Sequence, residues 1–170
     1  MNWPLALILW ATTCLACAHR PPVPWVQRPD TREIWAVTVD SVALSQTMTV
    51  FQVSYPNEAA VCYGGTLRDT VFVMPGKYAV AKLLHLQTAS AAQQDSATQF
   101  YVFGPRCPQG TVAIGHSHPY AKTWCDQSDP DARLLFSQRY ALVSIVWCLS
   151  GEVQILYQDG RRNTQRWREP

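Results

Sequence analysis

Blocks of apolar residues, separated by polar and turn-forming residues, predict a succession of helices and strands along this chain. Asp40-Ser41 can cap a first helix, because the block that follows places apolar residues at helical spacing and stops before Pro56. Residues 131–140 predict a second helix, and residues 89–97 a loop or a short helix. Short apolar runs bounded by turn residues predict strands. These runs are residues 70–74, 78–86, 99–104, 111–115, 141–148 and 152–158.

The order of these blocks predicts an α/β fold, in which a mixed β-sheet is flanked by helices in an α/β/α sandwich. Of the 170 residues, 48% are apolar and 15% are charged, which favours one packed domain over a disordered chain. The formal net charge is only +2, and no block of lysine or arginine stands out. This composition argues against a nucleic-acid-binding protein, which usually carries a basic patch.

The first 18 residues predict a targeting segment. They contain no charged residue, and their apolar part from Leu5 is too short to span a bilayer comfortably. Ala16-Cys17-Ala18 supplies the small residues at which a signal peptidase cuts, and the alternative is lipoprotein processing with acylation of Cys17. A buried N-terminal helix is a third interpretation. Residues 1–18 are interpreted as an export signal, which predicts a periplasmic, secreted or membrane-anchored protein.

Composition divides the rest of the chain into three parts. Residues 19–33 are rich in proline and polar residues, which predicts an extended tether. Residues 34–160 carry the apolar blocks and are predicted to form the domain. Residues 161–170 contain four arginines and are predicted to form a solvated basic tail.

The cysteines outside the predicted signal are even in number. Cys62, Cys107, Cys125 and Cys148 can form two disulfides in an oxidising compartment, and four cysteines allow three pairings. Free buried thiols are the alternative. No Cys-x-x-Cys pair occurs in this part of the sequence, so a zinc site built from thiolates is not expected.

Two histidines end the apolar run at residues 111–115. In an extended strand, residues two apart point to the same side, so His116 and His118 aim two imidazoles at one point. Pro119 favours extended backbone at His118. Two neutral imidazoles and a carboxylate suit zinc, with water in the fourth position, and Asp131 supplies the carboxylate after a polar loop.

The sequence Ser128-x-x-Asp131 has a purely structural interpretation as well. It resembles a capping box, in which Ser128 caps a helix and Asp131 reaches back to the first amide, and Pro130 fits the first turn. Capping and metal ligation are compatible, because the start of a helix can present a side chain to a metal. The combination of both histidines, a proline and this serine–aspartate pair is much rarer than any one part.

These residues resemble the JAMM motif of zinc metalloproteases, also called MPN+ or Mov34. In that motif His-Ser-His-Pro is followed by a spacer and Ser-x-x-Asp, and a glutamate lies far upstream, where this chain has Glu58. The resemblance spans residues 39–157. The spacer between His118 and Ser128 is about two residues longer than in the commonest form, and we expect a bulged loop there, since added loop length costs little entropy.

The resemblance implies an MPN fold, which is similar to that of cytidine deaminases, and a catalytic zinc site. His116, His118 and Asp131 would bind Zn²⁺. Glu58 would act as the general base for the metal-bound water. Ser128 would donate a hydrogen bond to the oxyanion of the tetrahedral intermediate.

The implied reaction is hydrolysis of a peptide or isopeptide bond in a protein or peptide substrate of unknown identity, with attachment to a membrane if Cys17 is acylated. A non-catalytic binding or scaffold lipoprotein of the same fold is the alternative function. An accidental motif in a structural lipoprotein is the third. Ser117 is expected to support the strand rather than act as a nucleophile, and His85 to be a hydrogen-bonded core residue.

Overall fold

The computed structural model of the protein describes residues 31–75, 77–119, 125, 127–138 and 140–166. The predicted signal with Cys17, nearly all of the predicted tether, and the last residues of the predicted tail lie outside these described residues. So does most of the spacer for which a bulged loop is expected. No helix in the described part of the chain is long and apolar enough to cross a membrane.

The described chain forms a curled sheet of seven strands, two α-helices and a small two-stranded sheet. After a 3₁₀ turn at Thr31–Glu33, the elements are β1 (Ile34–Val39), α1 (Ser41–Ser54), β2 (Ala60–Met74), β3 (Lys77–Ala91), β4 (Ser96–Ala97), β5 (Val102–Phe103), β6 (Ala113–His118), α2 (Asp129–Ser137), β7 (Val143–Cys148), β8 (Glu152–Tyr157) and β9 (Arg162–Arg166).

The large sheet is mixed. Its strand order is β1-β3-β2-β6-β7-β8-β9, while β4 and β5 pair separately. The pairs β1–β3 and β6–β7 are parallel, and the other neighbours in the large sheet are antiparallel. The strands β6 and β7 therefore end at the same edge of the sheet, which is where the two histidines lie.

The two helices cover opposite faces of the sheet. On β6, the neighbouring residues Ala113 and Ile114 point to opposite faces, as strand geometry requires. Ala113 belongs to the large core against which Leu44 and Met48 of α1 pack. Ile114 packs instead in a second cluster with Leu135 of α2. The prediction of an α/β fold with a mixed sheet flanked by helices is thus confirmed.

Both helix starts follow from local chemistry. The carboxylate of Asp40 accepts a hydrogen bond from the amide of Val42 at 2.8 Å, so Asp40 caps α1 as predicted. The cap of α2 is Ser128, and this helix begins at Asp129, earlier than the predicted start at residue 131, because Pro130 fits within its first turn.

Several strands differ from the prediction. The strand β1 was not predicted, and β2 and β3 extend over 15 residues each. Parts of both strands consist of paired polar residues, which do not form an apolar run in the sequence. One such pair is Asp69 and Lys82, in which Nζ of Lys82 lies 3.0 Å from the carboxylate of Asp69. The predicted strand at residues 99–104 is reduced to the two residues of β5.

Within the predicted basic tail, residues 162–166 form the edge strand β9, which was not predicted. This strand pairs antiparallel with β8 through backbone hydrogen bonds, which polar side chains do not prevent at a sheet edge. Just before it, the guanidinium of Arg161 lies 4.6 Å from the ring centre of Tyr157. The same guanidinium donates hydrogen bonds to the carbonyls of Ile34 (3.3 Å) and Thr31. Arg161 therefore links the end of β8 to the start of β1 and holds the sheet in its curl.

Candidate metal centre

The last residues of β6 bring two imidazoles together. His116 and His118 point to the same face of the sheet, and their Nε2 atoms are 3.1 Å apart. The two ring centres are 4.9 Å apart, and the ring planes are tilted by 60°. His116 is almost fully buried, with a side chain 3% exposed, whereas the side chain of His118 is 18% exposed. The predicted convergence of the imidazoles is confirmed.

The start of α2 brings Asp131 to the same point. Oδ1 of Asp131 lies 3.1 Å from Nε2 of His116, and Oδ2 lies 3.8 Å from Nε2 of His118. The carboxylate also completes the predicted capping box, since Oδ2 accepts hydrogen bonds from the amide (2.7 Å) and hydroxyl (2.8 Å) of Ser128. Capping and convergence on the histidines therefore coexist in one side chain.

Glu58 lies beside this group, at the start of the segment that leads into β2. Its Oε1 is 3.8 Å from Nε2 of His118, and its side chain is only 8% exposed. The backbone amide of Glu58 donates a hydrogen bond to the carbonyl of Thr98 at 2.7 Å, which fixes the chain just before β2. The structure thus brings all of the predicted site residues to one place: Glu58, His116, His118, Ser128 and Asp131.

The group formed by His116, His118 and Asp131 could hold a metal ion, since one ligand atom from each lies within 4.8 Å of the others. Ligands about 2.0–2.2 Å from a tetrahedral zinc are about 3.3 Å from each other. The distances of 3.1 Å from Nε2 of His116 to its two neighbours are close to this value. Two imidazoles and a carboxylate are ligands that bind divalent transition metals.

Burial and neighbouring charges shift the pKa values of the site. Burial raises the pKa of Glu58 to about 7, although nearby His116 opposes the shift. Burial, helped by His116, lowers the pKa of His118 to about 4. Burial alone would raise the pKa of Asp131, but the contacts with His116 and Ser128 outweigh it and lower that pKa to about 2. A neutral imidazole at His118 and an ionised Asp131 are the forms that bind metals.

The serine between the histidines has a structural role. Ser117 points to the opposite face of β6, where its hydroxyl accepts a hydrogen bond from the amide of Ala59 at 3.0 Å. The amide of Ser117 donates in turn to the carbonyl of Ala59 at 3.1 Å. Since Ala59 follows Glu58, this pair ties Glu58 to the strand that carries the histidines. The sequence predicted a supporting role for Ser117 without identifying this partner.

Gln127 lies in the region of the site, although no pattern in the sequence points to it. Its side chain is buried, and Nε2 donates hydrogen bonds to the carbonyls of Ser144 (3.0 Å) and Gln154 (3.3 Å). The backbone amide of Gln127 donates a hydrogen bond to Oε1 of Gln154 at 3.2 Å. Gln127, which directly precedes Ser128, therefore ties the start of α2 to β7 and β8. A single glutamine in a polar loop has no pattern that would reveal this.

The four cysteines after the predicted signal form two disulfides, one of the alternatives left open by the sequence. Cys62 is bonded to Cys107, and Cys125 is bonded to Cys148. His85 lies outside the candidate site; it is partly buried on β3, and its Nδ1 is 3.0 Å from the hydroxyl of Thr38.

Compared with protein-family models and with curated proteins, the sequence gives no significant match. Its class is therefore defined by the fold and the site alone: a mixed α/β protein with a candidate metal centre built from His116, His118 and Asp131.

Proposed function

We propose that this protein is an exported zinc-dependent hydrolase of the JAMM type, with an MPN fold, which cleaves a peptide or isopeptide bond. The observation that carries the proposal is the position of Glu58, whose carboxylate lies 3.8 Å from His118 and beside the three candidate ligands. A buried acid next to a possible metal site is more than a structural metal site needs, and it matches the requirement for a general base.

The proposed reaction assigns a separate task to each residue. His116, His118 and Asp131 would hold Zn²⁺, which when bound lowers the pKa of its water toward neutrality. Glu58, with its pKa raised to about 7, is suited to accept a proton from that water and later donate it to the leaving amine.

Ser128 is proposed to stabilise the transition state. Its hydroxyl lies 2.8 Å from Asp131, and Ser128 is an exposed residue at the helix start, where a substrate carbonyl can approach. Turning this hydroxyl from the carboxylate to the developing oxyanion would supply one hydrogen bond that the ground state lacks.

Export to an oxidising compartment is supported by the two disulfides, which are rare in reducing compartments. The apolar, uncharged residues 1–18 support the same proposal.

The test is to purify the protein, measure bound zinc, and assay hydrolysis of a peptide library before and after the change Glu58→Gln. We expect about one zinc per chain in both proteins and hydrolysis only in the parent. Zinc in both proteins with no hydrolysis by either would instead indicate the non-catalytic binding module. A parent chain without affinity for zinc would refute the metal site itself.

A further inference from the structure

The disulfide Cys125–Cys148 lies beside the candidate ligand His118. In the parallel pair β6–β7, His118 is in register with Cys148, the last residue of β7. Cys148 is bonded to Cys125, with the two Cα atoms 5.6 Å apart. Both cysteines are buried and pack with Val146, which is in register with His116. The disulfide is therefore attached to the sheet at the end of β7, next to the histidines.

The chain runs from Cys125 of this disulfide to the third candidate ligand, Asp131. Shortly after Cys125, Gln127 is hydrogen-bonded to the carbonyls of Ser144 and Gln154. The next residue, Ser128, caps α2 and binds the carboxylate of Asp131. A continuous set of contacts thus runs from the end of β7 to Asp131.

The body of α2 has its own anchor in the core of the protein. Leu135 is fully buried in the cluster with Ile114 and Leu156, and it lies one helical turn beyond Asp131. It fixes the second half of a short helix of nine residues. Ala132, next to Asp131, packs against the same cluster but is only partly buried. The position of Asp131 therefore depends both on this packing and on the segment that enters the helix.

We infer that the disulfide Cys125–Cys148 positions Asp131 and thereby sets the affinity of the site for zinc, so that full affinity is reached only in the oxidised chain. This inference rests on the proposed zinc site. In the oxidised chain Asp131 is held near the histidines before the metal arrives, whereas without the disulfide binding must also order the helix start. Loss of such supporting contacts lowers metal affinity about 10- to 100-fold. The site is then completed in an oxidising compartment.

The second disulfide provides a matched control. Cys62–Cys107 joins β2 to the segment before β6. Cys107 packs against the cluster that holds Leu135, but neither cysteine belongs to the segment that leads to Asp131. Its cysteines are 45 residues apart, against 23 for Cys125–Cys148. Since the longer loop restricts the unfolded chain more, the control disulfide should contribute at least as much to overall stability. A loss of metal affinity that merely followed overall stability would therefore be larger in the control.

The experiment compares the full chain with the double variants C125A/C148A and C62A/C107A. Zinc affinity is measured for each protein by competition with a chelating dye, and folding by circular dichroism and thermal unfolding. We expect zinc binding to weaken about 10-fold or more in C125A/C148A and to change less than about threefold in C62A/C107A. Equal affinities in all three proteins, or a greater loss in C62A/C107A, would overturn the inference.

A second experiment, reduction of the disulfide, tests the inference even if C125A/C148A does not fold. In C62A/C107A, dithiothreitol reduces the remaining disulfide by thiol–disulfide exchange, so that Cys125 and Cys148 each gain a hydrogen and the reagent becomes its cyclic disulfide. After removal of the reagent without air, zinc binding should be weaker, and reoxidation should restore it. Unchanged or tighter binding after reduction contradicts the inference alone, whereas an oxidised parent chain that binds no zinc contradicts the proposed function.

Discussion

Ser117 and Ala59 are joined by two hydrogen bonds of opposite direction. The hydroxyl of Ser117 accepts from the amide of Ala59 at 3.0 Å, and the amide of Ser117 donates to the carbonyl of Ala59 at 3.1 Å. One partner lies between the two histidines and the other directly follows Glu58. The distance between the proposed base and the proposed ligands is therefore set by a contact on the face of β6 opposite the site.

The change Ser117→Ala should separate positioning from metal binding. It leaves the amide of Ala59, a residue only 2% exposed, without its side-chain acceptor, which should cost about 1–3 kcal/mol of stability. Because the histidines remain, zinc content should stay at the parent level while the rate of hydrolysis falls. The conservative variant Ser117→Thr keeps the hydroxyl and should restore most of the rate. A rate for Ser117→Ala equal to that of the parent would show that Glu58 is held by other contacts.

Removal of His118 should abolish zinc binding. His118→Ala takes away one of the three proposed protein ligands, which leaves too few for a stable site. The measurement is metal content after dialysis against a weak chelator. His85→Ala is the matched control, because His85 contacts Thr38 outside the candidate site, and this variant should retain its zinc. Equal zinc content in the two variants would mean that the metal is bound elsewhere.

Replacement of Glu58 by glutamine should remove catalysis and leave the metal in place. The amide has nearly the same size as the carboxylate but cannot accept the proton, so hydrolysis should fall about 100- to 10,000-fold. Glu33→Gln serves as the control, since Glu33 is exposed and its carboxylate lies 3.5 Å from Nζ of Lys82. Comparable rates for the two variants would exclude Glu58 as the base.

The stability of zinc-free protein should depend on pH through Glu58. Its pKa is about 7 in the folded chain, against an ordinary value of 4.5, chiefly because burial disfavours the charge. The folded state binds this proton more tightly, so the contribution of Glu58 to stability is complete below pH 4.5 and is lost as the pH rises through 7.

The measurement is the free energy of urea unfolding of parent and Glu58→Gln proteins in chelator at pH 4 to 8. Relative to the parent, the variant should gain stability as the pH rises. His118 changes stability in the opposite sense, because its pKa of about 4 lies below the ordinary 6.5 and its contribution is lost as the pH falls. It is present in both proteins and cancels to first order in their difference. A difference that is flat across this range would contradict the prediction.

Gly115 should tolerate no side chain. A Cβ at this position would lie 2.8 Å from Cε2 of Tyr63 and 3.2 Å from the carbonyl oxygen of Ile145. Gly115→Ala should therefore destabilise the protein by about 1–3 kcal/mol through overpacking. Thermal and urea unfolding measure the loss. In a double-mutant cycle with Tyr63→Leu, the two changes together should cost less than the sum of their separate costs, and simple additivity would refute the proposed clash.

The sequence predicted the parts of the fold that local chemistry determines. The cap at Asp40, the capping box at Ser128 and the buried strands β6 to β8 all carry a clear pattern, and the structure contains them. The strand β1 has the apolar and β-branched residues typical of a strand, yet it was not predicted. The polar strand β9 carries no such pattern. It lies at one edge of the sheet, where backbone pairing to β8 is sufficient.

The candidate site was predictable because its ligands lie on elements with regular geometry. Spacing of two residues on a strand fixes His116 and His118 on one face, and the first turn of a helix fixes Asp131 relative to Ser128. The disulfide pairing and the role of Gln127 depend on which distant strands meet, and a single sequence carries no signal for such contacts.

The contact of Arg161 with the carbonyls of Thr31 and Ile34 has a practical consequence for where the protein can be cut. A fragment that starts at Ile34 lacks one of the two acceptors, and a fragment that stops at residue 160 lacks the donor and the whole of β9. Either truncation removes part of the contact that links the end of β8 to the start of β1. The smallest piece suitable for crystallisation or recombinant production accordingly begins no later than Thr31 and extends at least to Arg166.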